Sequence, residues 1–330
     1  MPQATVAVSM LRALLAYLDA QGLEPAPLAQ AAGLDREALA HPERAVDAAH
    51  YERLMQAGIA ALHNPLLGLE FGMAAQPDRW GTLGFLLRHC ATLGEVLAYQ
   101  ARFAHLVNAV GEGRFVAHDD HVALEWHSAG SRMPALVEEA FGAWVRFARW
   151  ASARDESPTR VEFSHRAQGD PALYEAFFAC PVVFSAPACR LCFDPTLLEV
   201  GLRTPDAALA AHLSDRVAAR ARAADARDVQ ARLMAWLKET IGHATPDLAR
   251  ASVALDLGER ALQKRLQAGG TTFSRCVAAA RHELALTYLR DSSLSVGDIS
   301  HRLGFSEQSA FQRAFRRWQG QTPLAWRRQR

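Results

Sequence analysis

Along the first two thirds of the chain the apolar positions change period more than once. In SMLRALLAYLDAQG they recur at helical spacing and stop at Gly22. PLAQAAGLDREALA reads as a short helical pair hinged at Gly33. AAHYERLMQAGIAALH reads as one helix, and NPLLGLEFGMAA as another with Asn64 as N-cap and Pro65 in its first turn. WGTLGFLLRHCAT and TLGEVLAYQARFAHLVN extend the helical block. The period then drops to two: residues 114–118 and 122–127 alternate apolar and polar about Asp119-Asp120-His121, which predicts a β-hairpin. A long helix over 134–154 follows, then strand-like segments at 160–164, 182–184 and 189–193 and a helix over 171–179. A helical block followed by short strands predicts an α+β domain with a small, mainly antiparallel sheet.

Residues 204–228 are rich in Ala and Arg and nearly free of large apolar side chains after Val217, as expected of a helical, mobile connection. Beyond them one pattern occurs twice. In ISHRLGFSEQSAFQRAFRRW, Ile299 and Leu303 share a helix face and Gly304-Phe305-Ser306 breaks the helix. Ser306 then offers an N-cap, and Phe311 and Phe315 form the next i, i+4 pair. LARASVALDLGERALQKRLQ repeats the frame from Leu248, pairing Ala251 with Ile299, Ser252 with Ser300, Leu255 with Leu303, Leu257 with Phe305 and Gly258 with Ser306. After the turn the later copy carries one extra residue, so Leu262 answers Phe311 and Leu266 answers Phe315. Thr245-Pro246 and a Ser295/Asp298 capping box mark the two starts. This predicts a C-terminal all-α domain of two helix-turn-helix units joined by a linker helix over 273–289, about 25 Å long. The expected division is 1–203, a linker at 204–228, and 229–330.

Charge sharpens the picture through its distribution, since the net charge of the 330 residues is only +1. Residues 229–330 hold 16 Lys and Arg against 8 Asp and Glu, and residues 1–228 hold 20 against 27. The basic excess falls where the repeated pattern lies, as contact with phosphates requires, and the acidic first part suits a sensor or assembly domain. No apolar run is long enough to span a membrane and no targeting segment is visible. With 5 unevenly placed cysteines, this predicts a cytoplasmic protein without a membrane partner.

The repeated tracts resemble the AraC/XylS family of bacterial transcription regulators. The resemblance is carried by LGFSEQSAFQRAFRRWQGQTP, the Leu-x-Lys-Arg-Leu of the first copy, and CVAAARHELALTYL, which is similar to the family's linker between two DNA-reading halves. It implies double-stranded DNA as partner, with Arg260, Gln263 and Lys264 of the first copy and Gln308, Ser309, Gln312 and Arg313 of the second at base-reading positions. Guanidinium groups can bridge guanine and amides can bridge adenine in the major groove. Arg265, Arg316 and Arg317 are candidate phosphate contacts. Departures from the family pattern are Gly258 in place of a Ser cap, Lys264 in place of Arg, and Ser252 and Ser300 in place of Ala. Trp80-Gly81-Thr82-Leu83-Gly84, Thr92-Leu93-Gly94-Glu95 and residues 184–193 resemble the arabinose-binding-type N-terminal domain of a subgroup that includes ornithine-utilisation and virulence regulators. That implies either a small-molecule sensor or a ligand-independent module for dimerisation or partner binding. It also implies a homodimer and, for an activator, contact with RNA polymerase.

Other constellations carry less. Cys189 and Cys192 form a CxxC, but on a strand their side chains leave opposite faces, so inert thiols are favoured over a metal site. Phe141, Trp144 and Phe147, with Trp150, can line an effector pocket or simply fill a core. Neither phosphate-loop, dinucleotide, hydrolase-elbow nor HExxH patterns occur, so no catalytic residue and no cofactor is expected.

Overall fold

Strand β1 (Thr5–Ala7) pairs antiparallel with β2 (Ala45–Asp47), enclosing between them in sequence α1 (Val8–Ala20) and α2 (Pro25–Ala31). These are the first elements of a computed structural model that describes residues 4–117, 121–290 and 293–329, without the Ala117 side chain. Gly33 sits at φ +75 and ends the α2 region, but residues 34–39 form turns only over 36–39 instead of the expected second helix. The Asp35 carboxylate accepts the Ala38 N–H at 2.6 Å, and so short a segment gains too few helical bonds to offset nucleation.

Helix α3 (Ala48–Leu62) starts at Asp47, whose side chain accepts from the Ala49 N–H at 2.9 Å. Helix α4 (Leu67–Met73) begins later than its sequence signals indicate. Asn64 accepts the Leu66 N–H at 2.9 Å and, with Pro65, forms a turn ahead of the helix instead of capping it. Helices α5 (Gly81–Arg88) and α6 (Leu93–Phe103) follow, the second capped by Thr92. Strands β3 (Gly111–Ala117) and β4 (Val122–Ser128) form the expected hairpin, with Phe115 opposite Leu124, while Asp119 and Asp120 of its turn lie outside the described residues.

Helix α7 (Pro134–Ser152), β5 (Arg160–Glu162), α8 (Pro171–Phe178), β6 (Val182–Val183) and β7 (Cys189–Phe193) complete this part. The sheet order is β3-β4-β7-β5-β6, antiparallel except for the β5–β6 pair. Val137, Phe141 and Val145 of α7 pack in one core with Leu124, Val161 and Leu191 of the sheet. On its other side α7 meets α4 backbone to backbone: a Cβ at Gly68 would strike the Ala135 carbonyl, so only glycine permits this approach.

Helix α9 (Ala207–Thr240) covers the Ala- and Arg-rich tract and continues beyond it; within it the chain divides into compact units Met1–Ala218 and Ala219–Arg330. The second unit is all-α: the end of α9, then α10 (Leu248–Ala254), α11 (Glu259–Ala268), α12 (Phe273–Arg290), α13 (Val296–Arg302), α14 (Gln308–Gln319) and α15 (Pro323–Arg328). Val229, Leu233 and Leu237 recur at helical spacing on α9 and, with Ile241 just past its end, share one core with Leu262, Leu266, Phe311 and Phe315. Helix α13 has the expected Ser295/Asp298 capping box. Two other caps differ. Asp247 caps α10, accepting the Arg250 N–H at 2.8 Å, where Thr245 was expected; Glu307 occupies the α14 cap position in place of Ser306.

Candidate nucleic-acid interface

The helix pairs α10–α11 and α13–α14 are joined by turns that match bond for bond. In the first, Leu257 N–H donates to Ser252 O at 2.9 Å and Asp256 takes φ +55. In the second, Phe305 N–H donates to Ser300 O at 3.1 Å and Gly304 takes φ +70. Each left-handed residue lets the chain reverse direction without lengthening the loop. Gly258 occupies the N-cap position of α11 and Glu307 that of α14, neither with a side-chain cap bond, so the extra residue of the second copy is absorbed between turn and helix.

A long helix steadies each turn. Arg232 of α9 donates to the Leu255 carbonyl at 2.8 Å, and Arg281 of α12 donates to the Gly304 carbonyl at 3.4 Å while lying over the Phe305 ring at 4.8 Å. Burial lowers the affinity of Arg281 for its proton. In the sequence neither arginine falls within the repeated frame, although they stand 49 residues apart, close to the spacing of the repeat.

The faces left free are those with the candidate reading groups. On α11, Leu262 and Leu266 are buried while Arg260, Gln263 and Lys264 are exposed. On α14, Phe311 and Phe315 are buried, Gln308, Ser309 and Arg313 are exposed, and Gln312 is half-buried. Ser309 donates to the Glu307 carboxylate at 3.0 Å and accepts from Arg313 at 3.5 Å, so the three side chains form a row along the first turns of α14. Arg316 and Arg317 are exposed and, with Arg313, line an open cleft of about 580 Å³. Arg265 differs: its Nε pairs with Asp225 of α9 at 2.6 Å, so it is already engaged by a carboxylate.

In the first unit, a cleft of about 460 Å³ lies between α6 and the β3–β4 hairpin, lined among others by Gln100, His105, Arg114, Phe115, His127 and Trp144. Of the three aromatic residues expected to line a pocket, Trp144 is on its wall. Phe141 is fully buried against Phe163, and Phe147 is buried with its ring edge-on to Trp80, so both belong to the core instead. Cys189 and Cys192 are buried on β7, where Ser164 N–H donates to the Cys189 sulfur at 3.2 Å. Burial pushes the thiols of Cys90, Cys180 and Cys276 up, the reverse of what a nucleophile needs. Among the described residues no helix is long and apolar enough to cross a membrane.

The family described as "Arabinose-binding domain of AraC transcription regulator, N-term" matches residues 22–202, more than half of the chain, and a helix-turn-helix domain family matches residues 251–329. The chain is 25% identical to an ornithine utilization regulator of Pseudomonas aeruginosa over 326 residues, covering 98% of this chain and 96% of the relative. It is 31% identical to the regulator VqsM of the same organism over 279 residues, 79% of this chain and 83% of the relative. Among solved structures, the transcriptional regulator CdpR of Pseudomonas aeruginosa aligns over 97% of this chain and 98% of its own, with 24% identity and a TM-score of 0.48. The chain thus belongs to the AraC family of transcription regulators, as a DNA-binding protein with an effector-binding-type N-terminal domain and not as an enzyme.

Proposed function

We propose that this protein is a cytoplasmic, sequence-specific activator in which α10–α11 and α13–α14 are two helix-turn-helix units, α11 and α14 are the reading helices, and α12 is their spacer. The observation that carries this reading is the duplicated turn, which leaves two exposed faces of amide and guanidinium groups on helices that begin immediately after it. Helix α12 has 18 residues, hence a length of about 27 Å, compatible with successive major-groove segments roughly 34 Å apart. Arg260, Gln263, Lys264, Gln308, Ser309, Gln312 and Arg313 read base edges; Arg316 and Arg317 contact phosphates, joined by Arg265 once it leaves Asp225.

In the first unit, the α6/β3–β4 cleft is the effector site, and an effector acts by preferring one of two states of the protein. A homodimer would place two such regulators on paired half-sites, and activation would proceed through contact with RNA polymerase. A relative named for ornithine utilization makes ornithine one of the compounds to try among small metabolites in thermal-shift measurements.

Arg313→Ala tests the reading face. On a duplex selected from a random pool by the parent protein, the variant should lose on the order of 1–3 kcal/mol and relax its preference at one base pair. Equal weakening on selected and random duplexes would make Arg313 a phosphate contact and remove the central member of the α14 reading set.

A further inference from the structure

The α6/β3–β4 cleft continues inward. Gln100, Ala104, Gly111, Gly113 and Trp144 line both it and a smaller inner chamber of about 50 Å³, whose lining also includes Arg79, Glu139, Trp80 and Trp126. Arg79 and Glu139 form an ion pair there, 5% and 1% exposed. Arg79 also donates to the Phe71 carbonyl at 3.2 Å, and its guanidinium lies over the Phe71 and Trp80 rings at 4.7 and 5.2 Å. Its Nε–H is buried without a hydrogen-bond acceptor among the described residues. A desolvated guanidinium with an unused donor is an anion-recognition group, and a desolvated carboxylate beside it is a cation-recognition group.

The strand backbone is bare on this side for a reason. A Cβ on Gly111 would strike the Trp126 ring and one on Gly113 the Trp144 ring, so glycine lets both indoles lie against β3 and form walls of the chamber.

We propose that this inner chamber takes the head group of a free α-amino acid, with the carboxylate on Arg79, the ammonium between Glu139 and the indole faces, and the side chain in the outer cleft. The inference rests on the reading of that cleft as the effector site. A lone carboxylate or a lone amine would add an unbalanced charge beside a pair that is neutral and out of water. A zwitterion adds none, presents both signs to groups already in place, and gains the attraction of an ammonium for indole faces. The outer cleft can receive side chains of differing polarity, since Phe115 and Leu124 line it together with His105, His127 and the exposed Glu112–Arg114 pair at 3.1 Å.

The test titrates the full-length protein, by calorimetry and by tryptophan fluorescence, with the twenty proteinogenic L-amino acids and ornithine. Each is compared with its decarboxylated amine and its des-amino acid, alongside a general metabolite panel. At least one amino acid should bind, with both truncated counterparts at least 100-fold weaker. Ala104→Phe, which plugs the passage from cleft to chamber and leaves the ion pair in place, should weaken that amino acid at least 100-fold in a protein that remains folded by circular dichroism. Arg79→Lys should weaken it at least tenfold, because an ammonium cannot reproduce the guanidinium fork. A truncated counterpart binding as well as its parent overturns the head-group assignment, as does an amino acid whose binding ignores Ala104→Phe. If Ala104→Phe blocks another metabolite while no amino acid binds, the assignment falls and the effector reading stands. If nothing on either panel binds, both fall.

Discussion

Glu138 lies fully buried on α7, where one carboxylate oxygen accepts from the Tyr174 hydroxyl at 2.7 Å and stands 3.7 Å from His165 Nε2; its other oxygen has no partner among the described residues. Burial pushes its carboxyl from an ordinary value near 4.5 up to about 7, against the smaller opposing pull of the Tyr174 bond. The folded chain therefore keeps a proton that the unfolded chain releases. That stabilisation is complete below the unfolded value and is lost as pH rises through about 7, at a cost on the order of 3 kcal/mol. His165, pushed down by burial, acts in the opposite sense and costs stability as pH falls below its ordinary value near 6.5. Glu138→Gln should remove the first effect and keep the second. The melting temperature of the variant relative to the parent should accordingly climb from pH 5 to pH 8, whereas a constant difference would show Glu138 ionised throughout. None of this is legible in the sequence, where Glu138, Glu139 and Arg79 look like ordinary surface charges and only tertiary burial distinguishes them. The aromatic series divides between core and cleft for a geometric reason. Residues three apart on a helix are each displaced by roughly 60°, so Phe141, Trp144 and Phe147 point to different surroundings, two in the core and one at a cleft.

The turns between helix pairs give a cleaner view of what the sequence encodes at the level of elements. Gly304 has φ +70, and an added Cβ would meet only Arg281 Nη2, at 3.6 Å, so Gly304→Ala changes backbone strain and almost nothing else. It should cost about 1 kcal/mol in chemical denaturation. Asp256 holds the matching position at φ +55, and Asp256→Gly should gain a few tenths of a kcal/mol, because aspartate tolerates the left-handed region better than most residues do. No loss on Gly304→Ala would mean that the turn does not depend on this conformation. These turns were readable because the chain writes them twice, and two occurrences of one apolar frame at a common spacing outweigh any single motif. Where only local signals were available, the outcome was mixed. The Ser295/Asp298 box formed, but Asp247 caps α10 two positions past Thr245, and the α14 cap position falls on Glu307, one past Ser306 and without a side-chain cap bond, because local signals fix a helix end only to within a residue or two. Strands β1 and β2 were invisible, being three residues each and too short to show alternation; their pairing is a tertiary fact.

On the scale of the whole chain, residues 229–330 carry an excess of 8 positive charges and residues 1–228 an excess of 7 negative ones, so the near-neutral total conceals a strong dipolar arrangement of the sequence. A regulator built this way should bind DNA through the basic part alone, and its affinity should fall steeply with salt as phosphate-bound counterions are released. The slope of log affinity against log salt is about −0.9 for each phosphate neutralised. Removing one exposed contact, as in Arg316→Ala or Arg317→Ala, should therefore reduce the slope by about 0.9 on selected and random duplexes alike. Arg265→Ala should change it less, because Arg265 must first give up its 2.6 Å pair with Asp225, and what DNA gains there is offset by what α9 loses. Arg313→Ala should alter discrimination between duplexes more than slope, which separates base reading from phosphate contact within one set of titrations. If affinity were flat across salt concentrations, the basic excess would not be a nucleic-acid surface. If Arg265→Ala moved the slope as far as Arg316→Ala, the Asp225 pair would hold no weight against phosphate.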